Sequence, residues 1–307
     1  MFLDAGTLPQ PLRFDPQLAI LYSAHEFTAD TDVRQRIADA DVVITNKVRL
    51  GADQLASAPK LRLVCVAAAG TDNVDLQAAD AHGIEVRNVP DYGSESVAEH
   101  VMASLLALRR GLVTYGQAAT DGRWSASKHF CWHGPIVRDV GGSVLAVVGR
   151  GRIGEATARL ARGMGMKVEF AGRQGVPCGQ DERPLDDLIG EADAITLHLP
   201  LTAETRGLMN AQRLSRMKSS AVLVNTGRGA LVDAAALADA LRAGRIAGAA
   251  IDVLEVEPPP PSHPLMAADI PNLLLTPHVA WASEAAQARL ASSLIAMIED
   301  RRRAVAS

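Results

Sequence analysis

The stretch VLAVVGRGRIGEATARLA, residues 144–161, decides the fold. Its apolar run Val144–Val148 reads as a strand buried on both faces. Gly149, Gly151 and Gly154 follow at G-x-G-x-x-G spacing, and the residues after them repeat at helical intervals. Each glycine serves a separate purpose. The first allows a tight turn, the second lets backbone approach a pyrophosphate, and the third lets helix and strand pack closely. Arg152 and Ile153 open the helix, whose N-terminal amides suit an anion. A glycine pattern alone is weak, but between a strand and a helix it points to a dinucleotide.

Moving outward, short apolar runs alternate with helical segments. One set is Leu18–Tyr22, Asp41–Thr45, Leu61–Ala67 and Glu85–Val89. A second is Val144–Val148, Val168–Ala171, Ala194–Leu199, Ala221–Asn225, Ala247–Ile251 and Leu273–Thr276. Helices are expected at Gly51–Ala58, Glu155–Met164, Asp233–Ala243 and Glu284–Asp300. This alternation predicts an α/β protein with two Rossmann-like domains built on parallel sheets. The expected boundaries are 1–97 plus 283–307 for one domain and 98–282 for the other. A long helical run, Ser94–Ala119, passes between the strand sets, and the last helix returns to the first domain. The segment Thr120–Val140 has little apolar periodicity but holds Trp124, Phe130 and Trp132, which suits an arm at an interface near 115–140.

Composition narrows the function. The chain has 307 residues, 48 % of them hydrophobic and 21 % charged, with net charge −4. Its only basic run is Arg301–Arg303, so nucleic acid is not an expected partner. There is no apolar stretch of membrane-spanning length and no signal-peptide pattern, which places the protein in the cytoplasm. Cys65, Cys131 and Cys178 are scattered without C-x-x-C pairing, and no histidine pair has metal-ligand spacing; no metal is expected. Cys65, inside LRLVCVAAA, reads as a small buried hydrophobe.

Three segments following apolar runs carry the chemistry. VLVNTGRGALVD brings Arg228, AAIDVLEVEPPP brings Asp252 and Glu257, and NLLLTPHVAW brings His278. Ligands of open α/β sheets bind beyond the carboxyl ends of strands, so these residues can converge. Arg228 offers a planar fork for a carboxylate. His278 is a proton donor suited to neutral pH, and Glu257 would orient it and favour its imidazolium. Together they suit reduction of a 2-keto acid.

Across nearly its whole length the chain resembles the D-isomer-specific 2-hydroxyacid dehydrogenase family. The resemblance rests on AAAGTDNVDL, SVAEHVMASLLALRR, GRGRIGEATARLA, NTGRGALVD, DVLEVEPPP and TPHVAWAS. It implies two Rossmann-like domains, an active site in the interdomain cleft and a homodimer. It also implies catalytic roles for Arg228, Glu257 and His278, with substrate carboxylate held by amides near Ala69 and Gly70. Asp252 would hold the nicotinamide carboxamide, and Leu199, Pro200 and Thr226 would line the cofactor site. The segments GRWSASKHFC, DVLEVEPPPPSHPL and HVAWAS most resemble members that reduce hydroxypyruvate and glyoxylate. Glu257 stands where formate dehydrogenases of this fold carry glutamine, and Ala69 near where phosphite dehydrogenases carry lysine, so neither substrate is expected.

Gly172 falls about 20 residues beyond the glycine motif, where an acid would bind the ribose of NAD. No acid stands there, and the following Arg173 can pair with a 2′-phosphate, so NADP is favoured over NAD. Some readings stay open. His100 makes a structural hydrogen bond at the domain junction or takes part in the chemistry, His198 is structural or near the cofactor, Trp281 packs or faces substrate, and either Phe130 or Trp132 reaches a partner subunit. The alternatives to a hydroxypyruvate and glyoxylate reductase are an enzyme for a branched or aromatic 2-keto acid, or a nucleotide-sensing binding protein.

Overall fold

The computed structural model describes residues 1–172 and 176–306, which fall into two compact units: Met1–Gly93 with Ala282–Ser307, and Ser94–Trp281.

The first unit has a parallel sheet of β1 (Val42–Thr45), β2 (Leu63–Val66) and β3 (Glu85–Asn88), in that order. Phe2 bridges Ile44 and Ala24, which widens the sheet by single contacts. The short helices α1 (Val33–Ile37), α2 (Ala52–Ala56) and α3 (Leu76–Ala81) belong to this unit. Their Val33, Ile37, Leu55 and Ala79 join Leu3, Val43 and Val64 in one core. Cys65 lies in β2, fully buried, and burial pushes its thiol up to about 12. The expected strand at Leu18–Tyr22 is absent: a single 3-10 turn occupies Pro16–Leu18, and Leu21 is almost fully exposed. An apolar run without a packing partner has no reason to stay extended in a sheet.

The second unit opens with α4 (Ser94–Arg110) and α5 (Leu112–Thr120). The expected single run breaks between them at Gly111, whose φ of 62° is left-handed and ends the first helix. Residues 121–140 contain no regular element. In this stretch Trp132 packs edge-on to Tyr115 and lies under the Arg123 guanidinium. Phe130 is 93 % exposed.

A seven-stranded parallel sheet follows. Its members are β4 (Val144–Val148), β5 (Lys167–Ala171), β6 (Glu182–Arg183), β7 (Ala194–Leu197), β8 (Val222–Asn225), β9 (Gly248–Ile251) and β10 (Leu273–Leu275). The order is β10-β9-β8-β7-β4-β5-β6, so the chain reverses its direction of travel between β4 and β7. Strand β4 shows why the run is apolar throughout. Ala146 and Val148 enter one core with β7, β8 and the helices α7 (Leu185–Leu188), α8 (Ala211–Arg216) and α9 (Ala234–Arg242). Leu145 and Val147 enter the opposite core with Leu105 of α4 and Ala158 of α6 (Arg152–Gly163). A period of two with both faces covered needs apolar residues at every position.

The chain ends in α10 (Glu284–Ala306), within the first unit. Ala286, Leu290, Leu294 and Ile298 are buried at four-residue intervals, the stripe that holds a helix to a core. Arg302 on the same helix donates to the Leu18 carbonyl at 3.0 Å. No described helix is long and apolar enough to cross a membrane.

Candidate functional site

Strand register lines up the site. Val148, Leu197, Asn225, Ile251 and Leu275 pair successively from β4 through β7, β8, β9 and β10. They form one row across the carboxyl edge, spanning roughly 20 Å at ordinary strand spacing. The glycine turn leaves this row after β4, Arg228 lies three residues past it on β8, Asp252 one past it on β9, and His278 three past it on β10. The sequence-predicted residues of the second unit therefore share one edge.

The glycine turn is built by close approach. Gly149 has φ of 109°, and a Cβ there would lie 2.6 Å from the His198 carbonyl oxygen. At Gly154 a Cβ would lie 2.0 Å from the Gly149 carbonyl oxygen. At Gly151, the N-cap of α6, a Cβ would meet nothing within 4 Å. The turn is thus crowded toward the protein at two glycines and open at the third, where an anion can reach the amides of Arg152 and Ile153. The Thr226 hydroxyl, just past β8, is buried with no hydrogen-bond partner among the described residues. A buried unsatisfied hydroxyl calls for a partner that the chain does not supply. An open glycine cradle and an orphaned hydroxyl on one sheet edge both fit a dinucleotide. Leu199, after β7, packs on the core beside this edge, and Pro200 is exposed.

His198 stands at the switch between β4 and β7. Its amide donates to the Val148 carbonyl at 2.8 Å, and its Nε2 lies 3.0 Å from the Thr196 hydroxyl. Burial pushes this imidazole down to about 4, so the ring is neutral at pH 7.

Asn225, fully buried, shapes the Arg228 turn from both sides: its amide donates to the Arg228 carbonyl at 2.9 Å, and its carbonyl accepts from Gly227 at 3.1 Å. Gly229 lets the loop after β9 press against this turn, since a Cβ there would fall 2.0 Å from the Leu254 carbonyl carbon.

His278 has φ of 54°, a left-handed conformation that is uncommon outside glycine. Asp252 holds it there. Its carbonyl accepts from the His278 amide at 2.8 Å, and its buried carboxylate accepts from Val279 and Ala280 amides at 2.9 Å and from the Thr276 hydroxyl at 2.6 Å. Left-handed strain of about 1–3 kcal/mol persists only under such over-determination. His100 lies 3.3 Å from the Thr276 hydroxyl and 4.0 Å from Asp252, in the second ring of this brace. Trp281 donates its indole N–H to the His278 carbonyl at 3.0 Å.

The His278 ring donates from Nδ1 to Glu257 Oε2 at 2.6 Å, with side chains 26 % and 33 % exposed. Glu257 is held in turn, its other oxygen accepting the Leu254 amide at 2.8 Å. An ionised carboxylate only accepts, so it fixes a proton on Nδ1 and leaves Nε2 to exchange one with a ligand.

A profile of the D-isomer specific 2-hydroxyacid dehydrogenase NAD binding domain matches residues 102–280, more than half of the chain. The chain belongs to this family. It is accordingly an α/β oxidoreductase that takes a nicotinamide cofactor. Across 303 residues, 97 % of this chain and 94 % of the relative, it is 40 % identical to a glycerate dehydrogenase of Methylorubrum extorquens. It is 34 % identical to a hydroxypyruvate reductase of Blautia hydrogenotrophica, covering 92 % of this chain and 88 % of the relative. Among solved structures it resembles D-lactate dehydrogenase from Aquifex aeolicus complexed with NAD and lactic acid. There the TM-score is 0.81 at 27 % identity, over 93 % of this chain and 90 % of the other.

Ala69 and Gly70 belong to the first unit, in the bend after β2, where the Asn88 side chain donates to the Ala69 carbonyl at 2.6 Å. Arg173 lies outside the described residues, and Gly172 is the last described residue before it. A carboxylate missed in the sequence does stand near Gly172. Glu182 of β6 places Oε2 3.4 Å from where a Gly172 Cβ would lie. Strand β6 has two residues, both charged, so periodicity gives no sign of it.

Proposed function

We propose that this enzyme reduces hydroxypyruvate or glyoxylate to the corresponding 2-hydroxy acid, with NADPH favoured as cofactor. The observation that carries the reading is the His278–Glu257 pair at 2.6 Å on the edge shared with Arg228. The Arg228 guanidinium holds the substrate carboxylate and polarises the ketone. His278 delivers a proton from Nε2 to the developing alkoxide, and Glu257 stabilises the imidazolium that does so. When bound, the nicotinamide supplies the hydride. Gly149, Gly151 and Gly154 with the amides of Arg152 and Ile153 hold its pyrophosphate, Thr226, Leu199 and Pro200 line its path, and Gly172 borders its ribose. A carboxylate has about four lone-pair sites. Three donors on Asp252 therefore leave it able to accept from the carboxamide. On the strength of the family resemblance, amides at Ala69 and Gly70 bind a substrate carboxylate. The same resemblance supports a homodimer using the arm near 115–140. Three free cysteines suit work in a reducing cytoplasm.

The NADPH preference rests on Arg173. A second reading, NADH, is favoured by Glu182 of β6, because a carboxylate beside the end of β5 accepts from a ribose hydroxyl and repels a 2′-phosphate. Loss of reduced-nicotinamide absorbance, followed with hydroxypyruvate, glyoxylate, pyruvate and phenylpyruvate and each cofactor, tests both. Fast turnover of hydroxypyruvate or glyoxylate with NADPH supports the proposal. The same turnover with NADH alone transfers cofactor choice to Glu182. Turnover of only the bulky acid replaces the substrate, and silence with all four overturns the function.

A further inference from the structure

The bend after β2 is held at both ends. At its start the Ala67 amide donates to the Thr45 carbonyl at 2.8 Å, and at its far end the Asn73 side chain donates to the Val48 carbonyl at 3.0 Å. Between these anchors, two successive carbonyls are taken by the end of β3. The Ala68 carbonyl accepts from the Val89 amide at 3.1 Å, and the Ala69 carbonyl accepts from the Asn88 side chain at 2.6 Å. Both peptides are trans, and a trans peptide is planar with its N–H directed opposite its carbonyl. The Ala69 amide shares a peptide with the Ala68 carbonyl, and the Gly70 amide shares one with the Ala69 carbonyl. Both amides therefore face away from β3, on one side of the bend. Among the described residues neither donates to another protein group. Two neighbouring amides aimed one way form a concave donor pair that suits an anion.

We propose that Asn88 is a positioning residue, whose side-chain amide turns the Ala69–Gly70 peptide so that both amides reach the substrate carboxylate. The two peptides are set by different means. Backbone sets the first, through Val89, and a side chain sets the second. The anchors at Ala67 and Asn73 keep the bend in place without Asn88, so what Asn88 decides is the direction of one peptide. Gly70 has no Cβ, so that peptide can flip at little steric cost. A flipped peptide presents the Ala69 carbonyl oxygen, an acceptor, to a carboxylate that also only accepts. Asn88 is half-buried at the end of edge strand β3, so replacing it disturbs little of the core. The inference rests on the proposed binding of a substrate carboxylate at Ala69 and Gly70, and the test separates it from the proposed reaction.

The variants are Asn88→Ala, which removes the donor, Asn88→Asp, which keeps the shape but only accepts when ionised, and Asn88→Gln, which keeps an amide donor. Asn88→Ala should raise KM for hydroxypyruvate or glyoxylate by about tenfold with kcat changed less than about threefold, since a contact to a charged group made already in the bound substrate is lost. Asn88→Asp should raise KM at least as much, and Asn88→Gln should recover part of the loss. An aspartate variant that matches the wild type would mark Asn88 as a filler of space and overturn the inference. The readout independent of turnover is NMR of cofactor-saturated protein titrated with oxalate, an unreactive dicarboxylate. In the wild type the amide resonances of both Ala69 and Gly70 should move. In Asn88→Ala the Gly70 response should be lost while Ala69, held through Val89, still responds. Asn88→Asp carries the same test should Asn88→Ala fail to fold. A Gly70 response unchanged in the folded variant, or oxalate that moves neither amide in the wild type, would also overturn the inference. A Gly70 response that depends on Asn88 in an enzyme that turns over no 2-keto acid would uphold the positioning role and reject the proposed function.

Discussion

The turn after β4 and the turns after β8, β9 and β10 lie on one sheet edge but are made in opposite ways. The first is defined by missing atoms: Gly149 and Gly154 have no room for a Cβ, and Gly151 keeps its outward side open. The others are defined by polar side chains, with Asn225 bracing Arg228, Asp252 bracing His278, and Glu257 orienting its ring. On the proposed roles, function is tied to the fold at the glycine turn and separable from it at the polar turns. Histidines mark the contrast: His198 is kept neutral by burial, whereas His278 is held by a carboxylate and stays partly exposed.

The largest effect should come from His278→Ala. Loss of a general acid lowers kcat by about 10²–10⁴-fold, while cofactor affinity, measured by fluorescence titration, should stay within about twofold. A comparable loss of cofactor binding would end the separability argued above. Next comes His198. Its folded value is about 4 against 6.5 for the free side chain, so the unfolded chain takes up the proton first. Stability is complete above pH 6.5 and declines as pH falls toward 4, by at most about 3 kcal/mol. Urea unfolding of His198→Asn should show that part of the acid slope removed; an unchanged slope would deny the buried neutral state. At the glycine turn, Gly154→Ala should cost about 1–3 kcal/mol, because its methyl meets backbone. Gly151→Ala should leave stability within about 0.5 kcal/mol yet weaken cofactor binding about tenfold, since the methyl enters the approach of the pyrophosphate. Equal destabilisation by the two would erase the distinction between crowded and open glycines. The smallest effect belongs to Glu257→Gln. It keeps an acceptor for Nδ1 but not the charge, so kcat for reduction should fall while KM stays within about twofold; an unchanged kcat would remove Glu257 from its orienting role.

Much of this contrast was legible in the sequence, and the gaps have physical causes. Val144–Val148 was readable to the residue because both faces of β4 are buried, which forces an unbroken apolar run. The placement of Arg228, Glu257 and His278 beyond strand ends was readable because those ends are marked by the change from apolar to polar residues. Strand β6 escaped because Glu182 and Arg183 pair through backbone with no apolar signature. The run Leu18–Tyr22 misled because hydrophobicity alone does not say whether a partner surface exists. Asn88 gave no signal by spacing; its bond to Ala69 depends on how the bend after β2 turns toward the end of β3. The brace from Asp252 was hidden for the same reason, as it crosses between the ends of two strands.

The left-handed backbone at His278 has a practical consequence for trapping the enzyme with its ligands. Most residues placed there would pay for φ of 54° on top of losing the imidazole, whereas asparagine tolerates that conformation. His278→Asn is therefore the quiet version of this protein to crystallise: on the proposed role it passes the proton far more slowly but keeps the turn, so that keto acid and reduced cofactor soaked in together can be caught side by side.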